Sequence, residues 1–328
     1  MFKALMLTQH EKKTQAAFAD LIESALPAGD VTVRVDYSSL NYKDALAVTG
    51  RGAIVRKWPM VPGIDLAGVV DASDDPAWKP GDRVVVNGWG LGETEWGGLA
   101  QKARLKAGWL LRLPTAYSTR EAMAIATAGY TAALCVMALQ KHGTQPGDGE
   151  VLVTGAAGGV GSVAVALLAS LGHTVVASTG RAEQEAEYLK FMGASRVIDR
   201  AELSAAGKPL QSERWAGVVD AVGSHTLANA LAQTKWNGAV AACGLAQGAD
   251  LPSSVMPFIL RGVTLYGINC VFVPNAQREQ AWALLAQHLK GERLAQMTHE
   301  IALSDIVGAS VDLLEGRIRG RTVVDVNR

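Results

Sequence analysis

Two short stretches carry residue types that could hold a phosphorylated cofactor for hydride transfer. In "VLVTGAAGGVGSVAVALLASLG" an apolar strand ends at Thr154, turns through Gly155 to Gly161 and opens a helix. Backbone N–H groups in such a turn, together with the positive end of the helix, suit a pyrophosphate. Against the pattern G-x-G-x-x-G, Gly158 and Gly161 stand at the second and third glycines, while Ala156 replaces the first and Gly155 precedes it. Ala157, Gly158, Gly159 and Val160 are the candidate contacts, although a glycine-rich turn also forms for steric reasons alone. About twenty residues further on, where an acidic residue accepts bonds from the ribose hydroxyls of NAD and repels a 2′-phosphate, the chain reads "VVASTGR". Ser178 and Thr179 can donate to phosphate oxygens, Gly180 leaves room, and the Arg181 fork can make a charge-assisted contact. Arg200 is a candidate second cation. This set selects NADPH; helix capping by Ser178 or Thr179 is the competing role and can coexist with it.

The elements that must position these residues follow from periodicity. Up to about residue 110, "VTVRVDYSSL", "LAGVVDA" and "DRVVVNGWG" alternate or run β-branched between Pro and Gly, which predicts an irregular, mainly β domain. From Thr119 the texture turns helical, and strands then alternate with helices in the manner of parallel crossover units. The tail adds an amphipathic helix, "REQAWALLAQHLKG", and a closing strand, "RTVVDV", that could return to the first domain.

Composition narrows the function class. A chain of 328 residues suits about two domains, and Lys+Arg and Asp+Glu both number 31, so no net field favours nucleic acid or an anionic membrane. No signal-like segment opens the chain, and the apolar run from Val160 to Leu171 is too short for a bilayer. A cytoplasmic protein is expected. Cys135, Cys243 and Cys270 are widely spaced and fit neither a disulfide framework nor a zinc knuckle; buried structural thiols are expected at Cys243 and Cys270.

The blocks "SSLNYKDALAVTGRG", "PMVPGIDLAGVV", "GWGLGETEWGGLAQKARLKAGWL", "TAGYTAALCVMAL", "VTGAAGGVGSVAVALL" and "VMPFILRGVTLYGIN" resemble the zinc-free quinone-oxidoreductase branch of the medium-chain dehydrogenase/reductase superfamily. "LNYKDAL" and "MVPGIDLAG" narrow the resemblance to the acrylyl-CoA reductase group. It implies an α/β fold: a GroES-like, mainly β catalytic domain over 1–118, completed by about 298–328, and a Rossmann doubly wound parallel-sheet domain over 119–297. It also implies a site in the cleft between them and a homodimer formed through the Rossmann sheets.

The positions where zinc-dependent relatives carry ligands read Ser39-Leu40-Asn41 and Gly63-Ile64-Asp65, and no cysteine precedes Cys135, so no metal is expected. Reduction of a conjugated C=C bond needs a positioned nicotinamide, carbonyl polarisation and a proton source. The resemblance places Asn41 and Tyr42 at that centre, Tyr42 as cofactor contact and candidate acid, and adds Thr131, Leu245, Ile259, Asn269 and Arg321 to the cofactor residues. Thr127 is either a pocket residue or a helix cap. Asp65 and Asp220 are read as loop-stabilising carboxylates, and Arg51, Arg56 and Lys57 as a basic cluster that is either a solvated charge run or a rim for the phosphates of an acyl-CoA substrate. The implied reaction is NADPH-dependent conversion of acryloyl-CoA to propanoyl-CoA. The competing classes are an NADPH:quinone or enone oxidoreductase and a non-catalytic NADPH-binding protein.

Overall fold

A computed structural model describes residues 1–328, which divide into two compact units. The first comprises Met1–Thr127, Val271–Gln280 and Leu294–Arg328, and the second Ala128–Cys270 and Ala281–Arg293. The β unit therefore reaches nine residues past the expected 118 (127 − 118) and takes in a segment after Cys270.

In the first unit, β1 (Phe2–His10) and β2 (Lys13–Leu21) form an antiparallel hairpin. The main sheet contains β3 (Val31–Leu40), β4 (Asp65–Ser73), β5 (Arg83–Asn87), β6 (Lys102–Leu105) and β7 (Leu111–Arg112). Helix α1 (Tyr42–Thr49) follows β3 directly. Alternation in β3 sends Val31, Val33 and Val35 into a core shared with Leu66, Val84, Val86 and Leu99. Its neighbour β4 is joined antiparallel, with Ser38 opposite Leu66, and Asp65 in turn lies opposite Asn87 of β5.

Helix α2 (Thr119–His142) runs from the first unit into the second. It is long and apolar enough to cross a membrane, yet most of it is buried in the fold. Ala126 breaks it, with φ 46° and ψ −154°, so a second helical run begins at Thr127.

The second unit is the expected alternation: β8 (Glu150–Thr154), α3 (Gly159–Ser170), β9 (Thr174–Thr179), α4 (Ala182–Met192), β10 (Arg196–Asp199), α5 (Ala201–Ser204), β11 (Trp215–Asp220), α6 (Ser224–Gln233), β12 (Thr234–Ala242), α7 (Met256–Arg261) and β13 (Thr264–Gly267). All six strands are parallel in the order β10-β9-β8-β11-β12-β13. This doubly wound order reverses direction between β8 and β11, where such sheets open a crevice for ligands. Helix α8 (Asn275–His288) starts in the first unit and ends in the second. Helix α9 (Glu292–Gln296), β14 (Thr298–Ala302), α10 (Ile306–Leu314) and β15 (Arg321–Asp325) close the chain, and β15 pairs with both β14 and β3.

The cysteines depart from expectation. Cys135 is buried, but Cys243 and Cys270 lie just past the ends of β12 and β13 and are partly exposed, because each strand stops before its cysteine. A hydrogen bond with Cys243, together with burial, pushes the Cys135 thiol well up.

One glycine decides how closely α3 packs on β8. A Cβ at Gly161 would lie 2.3 Å from the Gly155 carbonyl oxygen and 2.6 Å from the Ala156 Cα, both backbone atoms that cannot step aside. Gly161→Ala is therefore expected to destabilise the second unit by about 1–3 kcal/mol and to weaken dinucleotide binding. A denaturation midpoint equal to that of the unaltered protein would show that the loop has room.

Candidate active site

In the second unit, the turn after β8 presents Gly158, Gly159 and Val160 to solvent, with Ala157 buried behind them. Gly158 caps α3, whose first N–H groups lack intrahelical partners. The 2′-phosphate set forms at the end of β9. Ser178 is 1% exposed and its hydroxyl has no hydrogen-bond partner, a buried orphan that a phosphate oxygen would satisfy. The Arg200 backbone N–H donates to the Thr179 carbonyl at 2.9 Å. Its guanidinium lies against Gly180, so that a Cβ there would come within 2.7 Å of Nε and 2.9 Å of Cζ. Arg181 begins α4 without a side-chain cap, and its guanidinium reaches Glu185 at 3.1 Å. Neither Ser178 nor Thr179 caps α4. Two cations, an unpartnered hydroxyl and a side-chain-free step thus meet at one strand end, and this donor set fits a phosphate monoester.

Asp220 ends β11 beside the turn, accepting from the Thr154 hydroxyl at 2.6 Å and from the Gly223 N–H at 2.8 Å. Burial raises its proton affinity. Leu245 and Asn269, exposed, follow the carboxyl ends of β12 and β13, and Thr131 is buried in the second run of α2. Ile259 is 72% exposed on α7.

In the first unit, Asn41 precedes α1 and forms a capping box with Asp44, while Tyr42 occupies the first helical position and is half exposed. Asn41 also belongs to a buried cluster centred on Asp65, which has no solvent exposure. Asp65 accepts from Ser39 Oγ at 2.7 Å, Asn41 Nδ2 at 2.7 Å, Asn87 Nδ2 at 2.6 Å and the Thr127 backbone N–H at 3.0 Å, and the Thr127 hydroxyl also donates to it. Sheet register supplies Ser39 and Asn87, and the turn from β3 into α1 supplies Asn41. The kink at Ala126 supplies the fourth, Thr127, whose N–H and hydroxyl both bind this carboxylate.

Asp44 lies in the same cluster, 1% exposed, with the Ile64 N–H on one oxygen and Asn41 on the other. Burial first, and the neighbouring Asp65 charge second, push its carboxyl up to about 7. Arg321 is also buried, its Nε donating to the Ala124 carbonyl at 2.9 Å while one Nη has no partner. Burial lowers the proton affinity of its guanidinium, and Asp65 and Asp44 oppose that shift.

Sequence reasoning named Asn41 and Arg321 but not this cluster, and it read Asp65 only as a loop stabiliser. The available signal was a set of polar residues, Ser39, Asp65 and Asn87, at the ends of apolar strands. No three His, Cys, Asp or Glu side chains anywhere in the chain are arranged to hold a metal ion. In the basic cluster, Arg51 faces Glu315 at 3.9 Å, and Arg56 and Lys57 are exposed.

Loss of one charge-assisted bond to a 2′-phosphate is worth roughly 1.5–3 kcal/mol. Arg181→Ala and Arg200→Ala should therefore each raise KM for NADPH by about tenfold or more and leave KM for NADH nearly unchanged. Equal effects on both nucleotides would remove the phosphate from this site.

Comparisons with known proteins agree with this geometry. The alcohol dehydrogenase GroES-like domain pattern matches residues 27–115 and the zinc-binding dehydrogenase pattern residues 159–287. Acrylyl-CoA reductase AcuI of Ruegeria pomeroyi is 53% identical over 330 residues, covering 100% of both chains. The putative quinone oxidoreductase YhfP of Bacillus subtilis is 42% identical, covering 99% of this chain and 98% of that one. Among solved structures, the yhdH oxidoreductase from Salmonella enterica in complex with NADP superimposes with a TM-score of 0.96 at 53% identity, covering 98% of this chain and 99% of that one. Escherichia coli YhdH with bound NADPH gives a TM-score of 0.97 at 52% identity, covering 99% and 100%. The chain belongs to the medium-chain dehydrogenase/reductase superfamily, on the branch that holds the acrylyl-CoA reductases and the quinone-oxidoreductase-like proteins.

Proposed function

We propose that this chain is an NADPH-dependent reductase of a small 2-enoyl-CoA, converting acryloyl-CoA to propanoyl-CoA. The observation that carries this reading is the phosphate-fitting set Ser178, Gly180, Arg181 and Arg200 in a chain 53% identical, end to end, to an acrylyl-CoA reductase. NADPH, when bound, supplies the hydride that adds to the β-carbon of the enoyl thioester, and a proton then completes the α-carbon. The turn Ala157–Val160 holds the pyrophosphate through backbone N–H groups, and the four residues at the ends of β9 and β10 hold the 2′-phosphate. Leu245, Ile259, Asn269, Thr131 and Arg321 complete the proposed cofactor set. Tyr42 contacts the cofactor with its accessible phenol, and Asn41 orients it from the buried side. Arg56 and Lys57, both exposed, remain available for coenzyme A phosphates.

The second reading is a quinone or enone reductase, favoured by the 42% identity to a putative quinone oxidoreductase. Both readings share the cofactor site, so only the acceptor separates them. The proposed homodimer forms through β13, which ends the six-stranded sheet with an unpaired edge. Helix α7, which precedes β13 in the chain, exposes Ile259 at 72% and Leu260 at 56%.

NADPH oxidation should show a higher kcat/KM with acryloyl-CoA than with crotonyl-CoA or a quinone. A methylene that does not fit a small pocket costs roughly 1–3 kcal/mol. A quinone preferred over both thioesters would overturn the acyl-CoA assignment, and tight NADPH binding without turnover of any acceptor would favour the non-catalytic role. Sedimentation is expected to give twice the 34.5 kDa chain mass; a monomer would remove the β13 interface.

A further inference from the structure

The cluster around Asp65 contains a counting problem. Asn41 Nδ2 has two hydrogens, yet three acceptors lie within reach: Asp65 at 2.7 Å, Ser39 Oγ at 3.0 Å and Asp44 at 3.0 Å. The orientation of Asn41, and with it the start of α1 at Tyr42, depends on which acceptors win. Asp65 has the shortest contact, and its four donor residues come from β3, the turn before α1, β5 and the kink of α2. It has no freedom to move.

We propose that Asp65 is the positioning residue of the reaction: it anchors Asn41 and Thr127 on one buried carboxylate and so fixes the Asn41–Tyr42 turn. This inference rests on the reductase reading for its kinetic consequence but not for its structural one. The charged groups facing Asp44 are Asp65 from β4 and Arg321 from β15. The Asp65 charge adds to burial in keeping a proton on Asp44. As pH rises through about 7, Asp44 ionises and becomes a second full carboxylate competing for the Asn41 amide. Turnover should therefore decline on the alkaline side of that midpoint. Removing the Asp65 charge lets Asp44 ionise at lower pH, because a like charge no longer opposes it.

The experiment is Asp65→Asn in the full chain, with three readouts: NADPH affinity by nucleotide fluorescence, kcat and its pH profile with acryloyl-CoA, and the Asp44 carboxyl titration by carbon-13 NMR. A misplaced reacting group costs about tenfold or more in rate, so kcat should fall by that much while NADPH affinity stays within about threefold. The Asp44 midpoint should move down towards the ordinary carboxylate range, and the alkaline decline with it. Unchanged kcat, or an Asp44 midpoint that does not move, would overturn the proposal. Should Asp65→Asn not fold, Asn87→Ala removes one donor and keeps both carboxyl groups. It should lower kcat by about threefold or more with the Asp44 midpoint retained, and an unaltered kcat would again overturn the proposal. The titration needs no substrate: if it shifts as stated while the unaltered protein reduces no enoyl thioester, the substrate assignment falls and the positioning role stands.

Discussion

A carboxylate without solvent exposure must find its hydrogen bonds inside the fold, and in the first unit that carboxylate is Asp65. Satisfying it ties together β3, β5, the start of α1 and the kink of α2. An apolar core alone would tolerate small slides of these elements, since dispersion contacts are individually weak and non-directional. The donors to Asp65 are directional, which gives Asn41 and Thr127 defined positions. Arg321 supplies the nearby positive charge, and burial together with the Asp65 charge raises the proton affinity of Asp44.

The second unit solves a different electrostatic problem. Its parallel sheet has an apolar core, and Thr154, Ser178, Thr179 and Asp220 are buried at the carboxyl ends of their strands. There Asp220 is stabilised by the Thr154 hydroxyl and two backbone N–H groups. At the end of β9 no carboxylate appears, and Arg200 is laid across Gly180. The same architecture thus keeps one acidic strand end and makes the other cationic.

The division of the chain and the crossover units were legible because both leave local patterns. Apolar strands such as "VLVT" and helix-period runs such as "VGSVAVALLASLG" identify themselves without reference to the rest of the molecule. The boundary at Thr127 was not legible, because "REAMAIATAGYTAALCVMALQKH" reads as one helix and the break at Ala126 is imposed by its surroundings. The strand ends before Cys243 and Cys270 escaped for a related reason: the apolar pattern continues past the last paired residue.

The sequence by itself determined the cofactor half of the site. Gly155 to Gly161, Ser178 to Arg181 and Arg200 lie within one contiguous crossover region, so their order and spacing already dictate their geometry. Only the tertiary structure decided the other half. Ser39, Asp65, Asn87, Thr127 and Arg321 come from separate segments, and what unites them is the register of antiparallel strands and one break in a helix. Hydrogen bonds between side chains remote in sequence leave no period or motif in any one segment, so Asp65 looked like a loop carboxylate until the fold surrounded it with donors.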